Sequence, residues 1–275
     1  MGSRMAQRLL AAGYNVRVYN RSPSAALELT KNGAQSAHSP RQAAEGCQFV
    51  IACVRDDEAA RAVWLNSESG ALAALSEGTI AIDSSTLSVP CARDLGTAAK
   101  KLGIQFLDAP VVGSRPQADA GQLSYLVGGE EKALERARPL LSVLGAQHFH
   151  VGASGSGAAF KLAVNSLFGV QVAALGELLG LLDKSGISGA AAMEVLGKLP
   201  ITSPAVKGAG ALMVAEKHEP LFPISLVEKD LDYLAKLAGA VGAKVPASES
   251  ARQQYSAARG AGFEQLNISG VRKLF

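Results

Sequence analysis

The chain lacks most of the features that mark secreted, metal-binding or nucleic-acid-binding proteins. Its 275 residues hold only three cysteines, Cys47, Cys53 and Cys91, with no Cys-x-x-Cys spacing and no histidine close by. That excludes a disulfide framework and a cysteine–histidine metal site, and it predicts free thiols in a reducing compartment, the cytoplasm. No metal is expected. Net charge is also scarce: 27 Lys and Arg against 24 Asp and Glu leave +3, too little for a nucleic-acid partner. No dense run of Lys or Arg offers itself to an anionic membrane surface. The N-terminus has no signal-peptide pattern, because Arg4 and Arg8 interrupt any apolar run. There is no internal repeat and no low-complexity tract.

Apolar residues, by contrast, are plentiful. They make up 48% of the chain against 19% charged, ample for one large or two medium cores. The longest apolar stretch, 158–182, has the length of a membrane span. Lys161, Asn165, Gln171 and Glu177 fall inside it, and a charge at mid-membrane costs about 3 kcal/mol. The stretch is read instead as a long core helix, so no membrane partner is expected.

The first half alternates short strands with helices. Strands are predicted at 15–19, 49–54, 79–83, 104–108 and 124–127, the second of them a continuous apolar run buried on both faces. Helices are predicted at 3–12, 23–32, 40–45, 57–65, 90–101 and about 130–144. This alternation implies an α/β fold with a doubly wound parallel sheet. Beyond Gly152 strand signals largely stop. Two domains follow: 1–152, a dinucleotide-binding domain of Rossmann type, and 153–275, all helical.

The opening Met1-Gly2-Ser3-Arg4-Met5-Ala6 reads as the first helix of such a dinucleotide-binding domain, which normally follows a strand and a Gly-x-Gly-x-x-Gly turn. Gly2 stands for the last glycine. The first strand and two earlier glycines are not in the sequence; a start placed about a dozen residues late would explain this, and because that strand is normally central, a gap in the sheet is expected. Asn20-Arg21-Ser22 closes the next strand, where an acid selects the ribose hydroxyl of NAD and an arginine suits the 2′-phosphate of NADP. Asp83-Ser84-Ser85-Thr86 and Asp108-Ala109-Pro110-Val111-Val112-Gly113-Ser114 end two further strands, at the edge of the sheet where ligands bind.

The most informative segment is Gly155-Ser156-Gly157-Ala158-Ala159-Phe160-Lys161-Leu162-Ala163-Val164-Asn165. A glycine-rich turn opens an apolar helix in which Lys161 and Asn165, four residues apart, share a face. No acid follows until Glu177. Desolvation in such surroundings lowers an ammonium pKa toward the range where lysine exchanges protons near neutrality. The competing reading is a lysine snorkelling from a helix edge.

Taken together these motifs resemble the β-hydroxyacid dehydrogenase family, which includes 3-hydroxyisobutyrate dehydrogenase and the glyoxylate/succinic semialdehyde reductases. The resemblance runs the length of the chain. Met1-Gly2-x-x-Met5-Ala6 is similar to the end of its nucleotide signature, and Val54-Arg55-Asp56-Asp57 to the loop flanking the adenosine. Asp108-Ala-Pro-Val-x-Gly113 is similar to its substrate loop and Gly155-x-Gly157-x-x-x-Lys161-x-x-x-Asn165 to its catalytic helix. Lys229-Asp230-Leu231, after Phe222-Pro223-Ile224, resembles a late motif of the site. Arg115-Pro116-Gln117-Ala118 with Gly121-Gln122-Leu123 leans toward the glyoxylate/succinic semialdehyde branch. Val112 stands where the family usually has Ser, which removes one hydroxyl donor to a substrate carboxylate.

The resemblance implies hydride transfer between a nicotinamide and a small β-hydroxy acid or its aldehyde or keto form. NADP is preferred and NAD possible. Lys161 is expected to move the proton and Asn165 to orient the substrate. Ser85, Gly113 and Ser114, with the backbone of Val112, are expected to hold its carboxylate. Gly2, Asn20, Arg21, Ser22, Val54, Thr86 and Lys229 are expected at the cofactor, Lys229 also repelling charge from Lys161. The helix at 158–182 has too few polar positions to face water, so a homodimer or homotetramer is expected. Two other readings stay open: an imine reductase of the same architecture, which generally lacks the lysine, and a non-catalytic binding or scaffold protein on this fold.

Overall fold

Short apolar strands and capped helices build the first part of the chain, as the computed structural model, which describes residues 1–275, shows. Two compact units result, Met1–Lys161 and Leu162–Phe275. The first unit runs α1 (Gly2–Ala11), β1 (Arg17–Val18), α2 (Leu27–Lys31), β2 (Gln35–Ser36), α3 (Pro40–Ala44), β3 (Phe49–Ala52), α4 (Asp57–Leu65), β4 (Ile80–Asp83), α5 (Val89–Lys101), β5 (Gln105–Asp108), β6 (Val111–Val112), α6 (Arg115–Ala120), β7 (Leu123–Gly129), α7 (Glu131–Leu144) and β8 (Gly145–Gly152). It ends in the opening turns of α8 (Ser156–Lys184), whose remainder belongs to the second unit with α9 (Gly189–Leu196), α10 (Pro204–Val214), α11 (Ile224–Val241) and α12 (Pro246–Gly260).

Helix starts follow local chemistry. Ser39, Asp56 and Ser88 each precede a helix and accept a backbone N–H of its first turn, from Gln42, Ala59 and Cys91, satisfying donors that a helix N-terminus leaves unpaired. Strands β3, β4 and β5 are parallel neighbours, with Ala52, Asp83 and Asp108 side by side in register. Beyond β5 the sheet turns: β7 runs antiparallel to β5 and to β6, and parallel to β8. The pairs β6 and β8 carry too little hydrophobic alternation to be read from the sequence.

One strand departs from expectation. The run at 49–54 reads as a strand buried on both faces, yet Phe49, Val50 and Ile51 are half-buried while all four residues of β4 are buried. The reason is topological: β3 is at the end of its sheet, and β1 and β2 pair only with each other. The core of this unit lies on the two faces of the larger sheet. One cluster gathers Ile80, Ile82, Leu107 and Val127 with α7 residues such as Leu134 and Leu141; the other gathers Trp64, Ala81, Leu95 and Phe106.

The second unit is helical throughout. Val172, Leu175 and Leu179 of α8 pack with Val206, Val227, Leu231 and Tyr255. The Tyr255 hydroxyl donates to the Gly169 carbonyl at 2.9 Å, so this buried ring of the second unit has its polar atom paired. By length and composition α8 is the one helix able to cross a membrane, and half of its most apolar window is buried inside the protein.

Candidate active site

Because Ala52, Asp83 and Asp108 are in register, the segments that follow them leave from one end of the parallel strands, the end at which such sheets bind ligands. Asp83 is fully buried. Its carboxylate accepts from the Trp64 indole N–H at 2.7 Å and from the Ser85 backbone N–H at 2.8 Å. Burial pushes its carboxyl above the ordinary carboxylate range, and the neighbouring Asp108 charge acts the same way. Ser85 in turn accepts the Val54 backbone N–H at 2.8 Å. The segments after β3 and β4, one assigned to the cofactor and one to the substrate, are therefore clasped to each other through Ser85. Thr86, the next residue, is half-buried.

Gly2 is the first residue of α1, and a Cβ there would stand 3.4 Å from that of Cys53 at the end of β3. No side chain caps this helix and no acid lies in its first turn. Its positive end is thus open to an anion, as the pyrophosphate of a dinucleotide requires. Asn20 folds over the turn after β1, donating to the Ser22 carbonyl at 2.9 Å, and Arg21 between them is exposed. These residues fit a dinucleotide.

The 109–114 segment is more constrained than its sequence suggests. Gly113 has φ of +125°, a conformation that favours glycine. Ser114 starts α6, and its backbone N–H and hydroxyl both donate to Gln117 Oε1, at 3.0 and 2.9 Å. Its hydroxyl is therefore engaged in capping, which weakens it as a substitute for the hydroxyl that Val112 lacks. Val112 itself is half-buried, opposite Ser124 of β7.

The glycines that open α8 have a packing role. A Cβ on Gly157 would stand 2.5 Å from the Leu126 carbonyl oxygen and closer still to that of Asp108. Helix and sheet approach so closely that only glycine fits. Lys161 follows on the same helix, half-buried, and Asn165 comes one turn later on the same side.

Asn165 is buried, and its amide nitrogen donates to Asp230 Oδ2 at 2.6 Å. A carboxylate only accepts, so this contact fixes which way round the amide sits. The other carboxylate oxygen lies 2.8 Å from the Lys229 ammonium, a close ion pair without the alignment of a hydrogen bond. The Lys229 ammonium also lies 4.5 Å from the centre of the Tyr233 ring, within reach of a cation–π attraction. Lys229 thus enters as half of an ion pair, and its charge is balanced within its own helix. The Asp230 charge weakens the like-charge repulsion expected of Lys229 toward Lys161.

Asp230 was not singled out from the sequence. The signal was present: Ile224, Val227, Leu231, Leu234 and Ala238 mark the buried stripe of α11, and Asp230 is an acid in that stripe. A carboxylate in such a position needs partners.

Comparison with known proteins finds relatives along the whole chain. Residues 1–152 match the NAD-binding domain of 6-phosphogluconate dehydrogenase, and residues 155–275 match the NAD-binding region of NADP-dependent 3-hydroxyisobutyrate dehydrogenase. Glyoxylate/succinic semialdehyde reductase 1 of Arabidopsis thaliana is 33% identical over 98% of this chain and 93% of its own length. 3-Hydroxyisobutyrate dehydrogenase of Pseudomonas aeruginosa is 34% identical over 100% of this chain and 95% of its own. The solved structure of Psf3 in complex with NADP+ and 2-OPP superposes with a TM-score of 0.91 at 26% identity, covering 100% of this chain and 96% of that one. The chain belongs to the β-hydroxyacid dehydrogenase family, whose members are NAD(P)-dependent hydroxyacid dehydrogenases and reductases.

Proposed function

We propose that this protein reduces a small aldehyde acid of the glyoxylate or succinic semialdehyde kind with NADPH, and oxidises the matching hydroxy acid in reverse. The observation that carries the reading is the buried Asn165–Asp230 contact of 2.6 Å, one helical turn beyond Lys161. Hydride chemistry is supplied by the nicotinamide when it is bound. Lys161 gives a proton to the forming alkoxide oxygen on reduction and takes it back on oxidation. Asn165, held by Asp230, presents its remaining polar atoms to the substrate in a single orientation. Ser85, whose oxygen accepts from Val54 and whose side chain also meets the Asp83 carboxylate, is assigned to the substrate carboxylate from this held position. The backbone N–H groups of Val112 and Gly113 serve the same carboxylate. Gly2, Asn20, Arg21, Ser22, Val54, Thr86 and Lys229 hold the dinucleotide. Activity is tested directly by following NADPH absorbance with glyoxylate and with succinic semialdehyde; no turnover of either refutes the reading.

Arg21 supports the choice of NADPH over NADH. A charge-assisted contact to a phosphate contributes roughly 1.5–3 kcal/mol, so the preference is expected to be about tenfold or more. Arg21→Asp should remove it. Equal Michaelis constants for the two cofactors in the unmodified protein would contradict this assignment.

We further propose a homodimer or homotetramer, in the cytoplasm, where Cys47, Cys53 and Cys91, all unpaired, stay reduced. Phe160, Leu167, Leu178 and Leu181 of α8 are each at least half exposed. Their spacing lines them along one helix face, a stripe that a second copy would cover. Light scattering should give two or four times the chain mass, and Leu167→Glu with Leu181→Glu should shift it toward one. A monomer for the unmodified protein at working concentration excludes the assembly.

A further inference from the structure

A helix leaves its first N–H groups without partners. In α3, α4, α5, α9 and α10 the residue just before the helix supplies the missing acceptor, through Ser39, Asp56, Ser88, Ser188 and Ser203. The longest helix, α8, is preceded by Gly155, which has no side chain to offer. Its acceptor comes from elsewhere. Asp108, at the end of β5, accepts the Gly155 N–H on Oδ1 at 2.8 Å and the Ala158 N–H on Oδ2 at 2.9 Å. The two donors are three residues apart, the spacing of a capping box, but the acid is 47 and 50 residues away in sequence.

The carboxylate is sealed in place. Asp108 is only 2% exposed. A Cβ on Gly128 would stand 2.6 and 2.8 Å from its two oxygens, so no water-sized gap lies on that side. The helix dipole adds to the attraction for a negative group at this end.

Two functional segments meet at this acid. The 109–114 segment leaves directly from it. Lys161 lies three residues beyond Ala158, about one turn and 4.5 Å along the helix. We propose that Asp108 is a positioning residue: its carboxylate fixes the first turn of α8, and with it Lys161, to the strand end from which the 109–114 segment departs. The inference rests on Lys161 being the proton donor, as proposed above. Misplacement of a reacting group by 1 Å costs about 100-fold in rate, so a loosened first turn is enough to impair turnover without unfolding the protein.

The test uses the full chain and two variants. Asp108→Asn keeps the shape but replaces one acceptor by a donor. Ala158→Pro removes the donor from the other side, at a helix position where proline is tolerated. Hydrogen exchange by mass spectrometry is expected to show residues 156–162 exchanging about tenfold faster in both variants, with α7 and the later turns of α8 unchanged. With NADPH and glyoxylate or succinic semialdehyde, kcat should fall about tenfold or more while the NADPH dissociation constant stays within about twofold. The decisive measurement is the cycle with Lys161→Ala: if Asp108 acts through Lys161, Asp108→Asn slows the Lys161→Ala enzyme by no more than about twofold. Full additivity of the two losses overturns the proposal, as does faster exchange with unchanged kcat. Unchanged exchange in both variants overturns it as well. If the unmodified chain reduces neither substrate, the functional reading is what fails, and the exchange result alone then decides for or against the anchor.

Discussion

Lys161→Ala is expected to lower turnover by ~10²–10⁴-fold, the range over which a positioned proton donor accelerates such reactions. The side chain is half-buried on a helix whose opening turn is held by Asp108, so its loss removes a group from a fixed place. NADPH affinity should be nearly unchanged, because the dinucleotide is assigned mainly to the first unit, at residues such as Gly2, Arg21 and Val54, and Lys161 is not among the residues assigned to it. The pH dependence gives a second reading. In the oxidation direction kcat should rise with pH as one group loses its proton, and that rise should vanish in the variant. A lysine that merely snorkels from a helix edge predicts near-normal turnover for Lys161→Ala in a folded, cofactor-binding protein. That outcome would remove the mechanism and with it the role given to Asn165.

Asp230→Asn is expected to impair the substrate more than the cofactor. The carboxylate serves two neighbours, the Asn165 amide at 2.6 Å and the Lys229 ammonium at 2.8 Å. An amide in its place has only one acceptor oxygen. Either Asn165 turns over and presents the wrong atoms to the substrate, or Lys229 loses its counter-charge in a nearly water-free setting. Hydrogen bonds to charged groups contribute roughly 1.5–3 kcal/mol, so kcat/KM should drop by about tenfold to a hundredfold. Asn165→Ala should reproduce the part of the loss that runs through substrate orientation: KM rises and turnover falls. In a double variant the two losses should be far from additive, since both residues belong to one contact. Independent losses would show that Asp230 acts on the reaction by another route.

Much of this arrangement was legible in the sequence where local physics decides. The α4 segment is legible to its observed ends, 57–65: Asp56 caps it and acids fill its first turn. The long helix carrying Lys161 and Asn165 was read from its apolar length and its glycine-rich start. What escaped was set by tertiary partners. β6 is two residues long and exists because β7 is beside it. Asp108 and Asp230 lie inside motifs that resemble the family's, yet their roles depend on groups 47 to 65 residues away. The ion pair of Lys229 with Asp230 is not legible from the sequence, because neighbours one position apart on a helix do not ordinarily face each other.

The close seating of Gly128 and Gly157 against Asp108 has a consequence for anyone who diversifies this chain in search of new substrates. A side chain at either position would collide with backbone or with a sealed carboxylate, so randomised libraries should leave both untouched, and substitutions recovered there would report misfolding rather than altered preference. Val112 is the opposite case: it is half-buried, on a short strand opposite the hydroxyl-bearing Ser124, and its conformation does not demand glycine. If Val112 borders the substrate as proposed, variation invested at that single position is expected to change which acids are accepted while the glycine seat keeps the reacting helix where it is.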